Sequence, residues 1–274
     1  MSKQDTYKLN CAMFQETLSK LRKDRFLINA ISESNKGQQI ILESDNVIYN
    51  KNRFDEEANI LVTKNSTFNA ARGYDRRNKV CVLNFANSVI PGGGVKFGSS
   101  SQEECLCRCS SLYSNISRVD CVNKFYAPHK AKGNVLANDD IIYTPDVVVF
   151  RRDDGKILLK QDWKMVDVIT CAAPNLGIPL FNIEMPKEEL KSIHMQRGRR
   201  ILEVAAANEC NTIILGAFGC GAFANSPEVV ADAYKTILPE FIHTFKNIEF
   251  AIFCKPGDEW NFTAFNNVIS KIKN

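Results

Sequence analysis

The chain has 274 residues, 45% of them apolar, which is enough to bury the core of one large domain or two small ones. Its net charge of +4 is too small to indicate a nucleic-acid-binding surface by itself. Neither a membrane-spanning apolar stretch nor a secretory signal is visible, so we expect no membrane association. Ten cysteines without such a signal favour a reducing compartment, and we therefore expect a cytoplasmic or nuclear protein.

Apolar residues at helical spacing predict a first helix over residues 7–23, and residues 39–42 form a candidate strand. The rest of residues 24–60 shows no clear period. From residue 79 onward apolar runs alternate with helical patterns, and residues 120–138 are predicted to be irregular. The further predicted strands are 79–86, 147–150, 166–173, 212–218 and 248–253, and the further predicted helices are about 101–117, 187–208 and 227–238.

Several of these strands are nearly continuous apolar runs. Such runs are typical of a mostly parallel sheet that helices cover on both faces. Ser226 and Pro227 open the helix over residues 227–238 in the way that a helix start favours. We therefore expect one α/β domain, in which residues 1–75 form an N-terminal extension packed on a core of residues 76–274.

Residues 91–94, which we call the first glycine turn, contain three consecutive glycines and follow the apolar strand of residues 79–86. After a seven-residue spacer come Gln102, Glu103 and Glu104. Glycines let the backbone approach a ligand closely, and neighbouring helical residues point about 100° apart. One glutamate can therefore hold a substrate while the other faces the bond that breaks. Burial and shared charge would raise one carboxyl pKa and suit it to donate a proton. The alternative is that the two glutamates have no catalytic role and only interact favourably with the dipole at the helix N-terminus.

The second glycine loop (residues 215–225) has three glycines at a strand end before the helix that Ser226 opens. Bare amides beside a helix N-terminus form an anion site that suits a pyrophosphate, and Phe223 can pack on a sugar or base. The alternative is a tight structural turn with a core phenylalanine. Ligands of α/β sheets gather at the carboxyl ends of strands, so we expect both glycine segments to face one cleft.

The remaining candidates are weaker. Cys105 and Cys109 fall on one helix face, but the spacing of zinc ligands is missing and we expect no metal site. No histidine has a sequence partner that indicates a triad or a metal role, so all three are interpreted as surface or core residues. The basic run 197–200 is interpreted as facing solvent, with a polyanion contact as the alternative. Residues 170–175 suit either a packed turn or a ligand contact.

The glycine run, the short spacer and Gln-Glu-Glu resemble the hallmark of poly(ADP-ribose) glycohydrolases, whose catalytic domain is a macrodomain. The wider match resembles the microbial, single-domain type. It extends over most of the chain through ordered motifs at residues 16–18, 83–87, 106–113, 171–175 and 215–225. The resemblance implies a three-layer α/β/α macrodomain-like mixed sheet with an N-terminal helical extension. It also implies hydrolysis of ribose–ribose O-glycosidic bonds in poly(ADP-ribose), releasing ADP-ribose without a cofactor or metal.

The resemblance also assigns roles to residues. Glu104 becomes the catalytic acid and base, while Glu103 and Asn87 hold hydroxyls of the ribose that is released. Phe223 packs against the distal ribose. The other substrate-binding residues that the resemblance implies are Gly92, Gly93 and Gly94 at the ribose end, Gln102 beside them, and Gly219, Cys220, Gly221 and Ala222 in a pyrophosphate loop.

The expected substrates are poly(ADP-ribose) or ADP-ribosylated protein, and nucleic acid only where it is ADP-ribosylated. Two alternatives stay open at this point. The first is a hydrolase of mono-ADP-ribose on protein or nucleic acid. The second is a macrodomain that binds ADP-ribose without cleaving it, which would need the glycine segments but not Glu104.

Overall fold

The computed structural model describes residues 2–178 and 184–273. The chain divides into two compact units. Unit 1 comprises residues 1–41, 84–134 and 140–171, and unit 2 comprises residues 42–83, 135–139 and 172–274. The chain passes between the units several times, so neither unit is one continuous stretch of sequence.

The described residues form α-helices, strands and short 3-10 or π turns. The helices are α1 (Lys3–Lys23), α2 (Arg25–Gly37), α3 (Thr67–Gly73), α4 (Gln102–Cys109), α5 (Leu112–Ile116), α6 (Val119–Cys121), α7 (Ala127–Lys132), α8 (Lys187–Ala207), α9 (Pro227–Ile237) and α10 (Trp260–Ile269). The strands are β1 (Gln39–Ile41), β2 (Asn59–Thr63), β3 (Val80–Phe85), β4 (Ile141–Val149), β5 (Lys164–Cys171), β6 (Thr212–Leu215) and β7 (Asn247–Ala251). A π-helical turn covers Val122–Tyr126, and the strands belong to one mixed sheet.

Unit 1 contains the antiparallel part of this sheet, in the order β1-β4-β5. A register shift interrupts the β4–β5 pairing between Thr144 and Val147. Leu21 and Leu27, from α1 and α2, pack with Val148 and Phe150 in one fully buried cluster. Burial of such side chains contributes roughly 1.5–3 kcal/mol each, so these two helices are an integral part of the core of unit 1.

Unit 2 contains the parallel part, in which β6 pairs with β3 and β7, and β7 pairs with β2. Ile213 and Ile248 lie opposite each other in this ladder and are both fully buried. α9 begins at Pro227 behind the N-cap Ser226, whose side chain accepts a hydrogen bond from the Val229 amide, as the sequence predicts.

The structure confirms the α/β class and the mixed sheet that the family resemblance implies. The expectation of a mostly parallel sheet is wrong for unit 1, where the pairs are antiparallel. The apolar run of β4 reflects burial on both faces of the sheet. Because parallel and antiparallel strands can both be buried in this way, an apolar run does not reveal strand direction. None of the described helices is long and apolar enough to cross a membrane.

Two predicted segments need correction. Residues 120–138 are mostly helical, through α6, the π-helical turn and α7, because Cys121, Phe125 and His129 recur at four-residue spacing and are buried. The helix predicted over residues 101–117 ends at Cys109, because Ser110 is extended and bridges to Val149. Elements that the sequence did not predict are α2, α3, α10 and β2.

Candidate functional site

The first glycine turn requires glycine at two of its positions. Gly92 and Gly93 have positive φ angles of 71° and 54°, which favour residues without a Cβ. A Cβ on Gly93 would lie 2.6 Å from Glu104 Oε1 and 3.1 Å from Glu103 Oε2. A Cβ on Gly92 would lie 2.9 Å from the Tyr113 ring. The turn therefore passes directly over the two carboxylates at the start of α4.

Gln102 attaches the first turn of α4 to the end of β3. Its side-chain oxygen accepts a hydrogen bond from the Phe85 amide at 2.9 Å. The Ser101 side chain makes no capping hydrogen bond at this helix start. Gln102 therefore fixes where Glu103 and Glu104 begin, and the structure places it against the protein backbone.

Glu103 is buried, with only 3% of its surface exposed, and both of its oxygens accept hydrogen bonds. The donors are the Asn84 side chain at 3.3 Å, the Asn87 amide at 2.8 Å and the Gly92 amide at 3.2 Å. Burial, with a smaller contribution from the charge of Glu104, raises the pKa of Glu103 to about 8 against the hydrogen bonds from Asn87, Asn84 and Gly92. Glu103 thus joins the strand end to the first glycine turn.

Glu104 is also buried but is bonded on one side only. Its Oε1 accepts a hydrogen bond from the Gly94 amide at 2.9 Å. Its Oε2 has no hydrogen-bond partner among the described residues, although it is buried. A buried polar atom without a partner is costly, and such atoms mark sites where a ligand completes the bonding. The two adjacent glutamates therefore differ: Glu103 is fully engaged and Glu104 keeps one oxygen for a ligand.

Asn87 lies between the strand end and the first glycine turn. Its side-chain oxygen accepts hydrogen bonds from the Val89 and Ile90 amides, both at 2.9 Å. Its own amide donates to Glu103. Asn87, Glu103 and the first glycine turn are thus held as one hydrogen-bonded group.

Asn84 and Tyr126 are two site residues that sequence reasoning missed. Asn84 is fully buried in β3 and donates to both Glu103 and Thr170. A lone amide inside an apolar strand was the available signal. Tyr126 ends the π-helical turn, and burial together with the nearby charge of Glu103 raises its pKa well above the usual range. Its hydroxyl has no hydrogen-bond partner among the described residues.

The second glycine loop, in unit 2, has a different construction. Gly219 has a φ of 78°, and a Cβ there would lie 2.7 Å from the Ala173 Cβ, so residue 219 packs on the segment after β5. A Cβ on Gly221 would meet nothing within 4 Å. Within the described part of the chain, no acceptor bonds the amides of Gly219, Gly221, Ala222 and Phe223. Gly221 and Ala222 are exposed, Cys220 and Phe223 are half-buried, and the loop tip therefore offers free backbone donors.

Asn225 closes this loop. Its amide donates to the Gly219 carbonyl at 3.0 Å, and its side-chain nitrogen donates to the carbonyls of Pro174 at 2.7 Å and Phe223 at 2.9 Å. Its side-chain oxygen is 2.7 Å from His194 Nε2. Because that oxygen can only accept, His194 must carry its proton on Nε2. The loop is therefore held in shape by one asparagine and the histidine behind it.

His194 is buried in α8, and burial lowers its pKa to about 4 against the hydrogen bond that it donates to Asn225. Of the two alternatives for His194, a surface or a core residue, the structure therefore shows a core residue.

Arg197, one turn further on, is buried as well and bonds Asp139 at 2.8 Å and the Ala172 carbonyl at 2.7 Å. The interpretation of residues 197–200 as a solvent-facing run is thus wrong for Arg197, because the helical period places it on the face of His194.

The mixed α/β fold and a buried acid beside a glycine turn define a macrodomain-type glycoside hydrolase. Residues 14–152, more than half of the chain, match the family model described as microbial-type PARG, catalytic domain. The chain therefore belongs to the microbial-type poly(ADP-ribose) glycohydrolase (PARG) family, and it is a glycosidase. A search of curated proteins found no match.

Solved structures of bacterial PARG enzymes are similar over nearly the whole chain. The enzyme from Thermomonospora curvata is 27% identical, with a TM-score of 0.83, and the match covers 95% of this chain and 99% of that one. The same enzyme bound to the inhibitor ADP-HPD is 28% identical, with a TM-score of 0.81 over the same shares. The Deinococcus radiodurans enzyme in complex with ADP-ribose is 29% identical, with a TM-score of 0.76, covering 88% and 97%. The family resemblance inferred from the motifs is confirmed.

Proposed function

We propose that this protein hydrolyses the ribose–ribose O-glycosidic bonds of poly(ADP-ribose) and releases ADP-ribose, with Glu104 as the general acid and base. The observation that carries the assignment is the unpartnered Oε2 of Glu104 among the described residues, buried beside the first glycine turn. Its other oxygen is held by Gly94, so the carboxyl is oriented before substrate arrives. Bound ADP-ribose in the similar Deinococcus radiodurans enzyme supports this ligand class.

In this mechanism Glu104 donates its proton to the leaving ribose oxygen as the glycosidic bond breaks through an oxocarbenium-like state. The resulting carboxylate then takes a proton from water, whose oxygen bonds the anomeric carbon. Glu104 is thereby returned to its acid form.

Glu103 serves as a positioning and binding residue in this proposal. Both of its oxygens already accept protein hydrogen bonds, and it stands next to Glu104 on one helix. A nucleophile would have to stand across the scissile bond from the acid, which adjacent helical residues do not do. We propose that Glu103 and Asn87 hold hydroxyls of the released ribose, that residues 92–94 line its ring, and that Gln102 fixes the helix start.

For the second glycine loop we propose pyrophosphate binding through backbone amides. The unbonded amides at the loop tip support this, because bare N–H groups in a turn attract anions. Gly221 allows a phosphate to approach, since nothing lies near the position of its absent side chain. Phe223 would pack on the distal ribose. No metal enters this proposal.

Two broader expectations continue as proposals. All ten cysteines lie in the described part of the chain and all are free thiols, which supports a reducing compartment. The similar solved structures are bacterial, so we propose a cytoplasmic location, and they give no support to the nuclear alternative. We also propose that residues 1–75 are an extension of a macrodomain core of residues 76–274.

The decisive experiment is digestion of purified poly(ADP-ribose), measured as released ADP-ribose. Glu104→Gln keeps the shape of the side chain but removes its acid, so we expect the rate to fall roughly 100- to 10,000-fold. Calorimetry should show that ADP-ribose binding survives. The matched control is Glu189→Gln, an exposed glutamate in the first turn of α8, which should digest polymer like the wild type.

Each alternative function has its own outcome in this assay. Full activity in Glu104→Gln would remove Glu104 from the acid role. A wild type that binds ADP-ribose but leaves polymer intact is a binding module. A wild type that removes single ADP-ribose units from modified protein or DNA, yet spares polymer, is a mono-ADP-ribosyl hydrolase.

A further inference from the structure

Two thiols and a carboxylate meet beside the helix that carries the site glutamates. Cys105 and Cys109 lie one turn apart on α4, and Asp153 lies between β4 and β5. One ligand atom from each of the three lies within 4.8 Å of the other two. Among the described residues, no other group of three His, Cys, Asp or Glu side chains is this compact.

The distances agree with tetrahedral zinc coordination. Zinc bonds thiolate sulfur at about 2.3 Å and carboxylate oxygen at about 2.0–2.2 Å, which places sulfur and oxygen ligands about 3.5 Å apart. Cys105 Sγ is 3.4 Å from Asp153 Oδ1. Two sulfur ligands of one zinc are about 3.8 Å apart, and the separation of the two Sγ atoms is already below 4.8 Å. A small side-chain adjustment is enough to bring the ligands into place.

The backbone around the three ligands is fixed by other contacts. The Cys109 carbonyl accepts hydrogen bonds from the Phe150 and Arg151 amides, which joins the end of α4 to the segment before Asp153. The Arg152 carbonyl accepts from the Gly155 amide at 2.9 Å, which forms the turn that contains Asp153. The ligand positions are therefore preorganised and do not depend on the ion.

Burial of the cluster is graded. Cys109 is 1% exposed, Cys105 is half-buried and Asp153 is accessible to solvent, so one side is open for a fourth ligand. A divalent cation displaces the thiol protons and offsets the negative charge.

We propose that Cys105, Cys109 and Asp153 form a three-ligand zinc site with water in the fourth position. It goes beyond the glycohydrolase activity and takes no part in that chemistry. Zinc bound there cross-links the C-terminal turn of α4 to the segment between β4 and β5 and so stabilises the folded chain. The sequence did not reveal it, because Asp153 follows Cys109 by more than forty residues and no Cys-x-x-Cys motif is present.

The test is metal binding by the full-length protein. Metal-free protein is titrated with Zn²⁺ against a chromophoric chelator, and with Co²⁺ while thiolate-to-cobalt charge-transfer absorption is recorded. We expect one equivalent of either ion, the charge-transfer band, and a higher melting temperature with Zn²⁺. Cys109→Ser and Asp153→Asn should each weaken binding at least tenfold. Cys254→Ser, a half-buried cysteine outside the cluster, is the matched control and should bind like the wild type.

Circular dichroism of each variant checks that it is folded, and Asp153→Asn at the solvent-accessible position keeps the test valid if Cys109→Ser does not fold. Binding of less than one equivalent by the wild type overturns the proposal. Binding that is unchanged in Asp153→Asn and Cys105→Ser also overturns it. A Cys105–Cys109 disulfide formed under mild oxidant, without zinc affinity in the reduced protein, identifies a redox pair instead. Because every readout is metal content, absorption or melting, these results are independent of glycohydrolase activity.

Discussion

The two glycine-rich segments of this protein both follow buried strands, but they use their backbone amides in opposite ways. In the first glycine turn the amides of Gly92 and Gly94 donate inward to Glu103 and Glu104. In the second glycine loop the tip amides have no acceptor among the described residues, and the Asn225 side chain holds the loop. The amides of the first segment thus have carboxyl acceptors within the protein, whereas those of the second are available to an external acceptor.

The glycines of the two segments also differ in their surroundings. A side chain at Gly93 would collide with Glu104, whereas a side chain at Gly221 would meet nothing within 4 Å, so the backbone there is open. A glycine run alone does not show which use its amides have.

The first glycine turn should make stability depend on pH through Glu103. Its pKa is raised from 4.5 to about 8 in the folded protein, so between these values the folded state keeps a proton that the unfolded state has lost. Stability should therefore fall as pH rises through this window, by up to about 1.4 kcal/mol per pH unit. Glu103→Gln carries no titrating group and should lose this slope. Urea denaturation at pH 5, 6.5 and 8 measures the difference.

Glu189→Gln is the control for that experiment, and its slope should match the wild type. A Glu103→Gln variant with the wild-type slope would show that Glu103 is ionised across the window and would contradict the prediction. His194 acts in the opposite sense, because its pKa is lowered from 6.5 to about 4. Its contribution to stability is complete above pH 6.5 and is lost as pH falls through 4.

A side chain at Gly93 should damage catalysis more than folding. Gly93→Ala places a Cβ against the Glu104 carboxyl, and a shift of about 1 Å in a catalytic group can reduce the rate about a hundredfold. Gly133→Ala is the matched control, because Gly133 has a similar φ of 60° but nothing within 4 Å of the added Cβ. Polymer digestion by both variants, at equal melting temperature, separates the collision from backbone strain. Equal kcat in the two variants would contradict the geometry.

The second glycine loop should respond through substrate affinity. His194→Ala removes the donor to Asn225, so the loop loses one support and KM should rise about tenfold, the equivalent of one hydrogen bond, with little change in kcat. His194→Gln can still donate and should restore part of the affinity. Steady-state kinetics on polymer gives the split between KM and kcat. A fall in kcat with unchanged KM would instead connect His194 to the chemical step.

Parts of the fold could be predicted because the local pattern of apolar residues agrees with which side chains the folded structure buries. The alternation of apolar runs and helical periods places β3, β5, β6 and β7 and the helices α1, α8 and α9 within a few residues. α2 was missed although the N-cap Asp24 accepts hydrogen bonds from the Phe26 and Leu27 amides. It follows α1 with a single residue between them, so no break in composition separates the two. The helix α7 was missed because it is short and His129 is its one buried residue, so it shows no apolar period.

Within the candidate site, the glycine run and the two glutamates could be found from sequence because their spacing is local. Asn84 and Tyr126 were missed because Asn84 bonds Glu103 only in the folded chain and Tyr126 is affected by the charge of Glu103 only there. The link between His194 and Asn225 joins residues thirty-one positions apart, and only the packing of α8 against the loop brings them together.

The sequence by itself determined the α/β class, the family, and the pair of adjacent glutamates beside a glycine turn, because those features are written in neighbouring residues. The tertiary structure decided which hydrogen bonds each glutamate makes. It surrounds Glu103 with three donors, gives Glu104 one donor, and leaves a buried oxygen without a partner among the described residues. The physical reason is that burial and the available hydrogen-bond donors depend on strand ends, turns and helices that meet in space. These tertiary contacts make two chemically identical side chains differ.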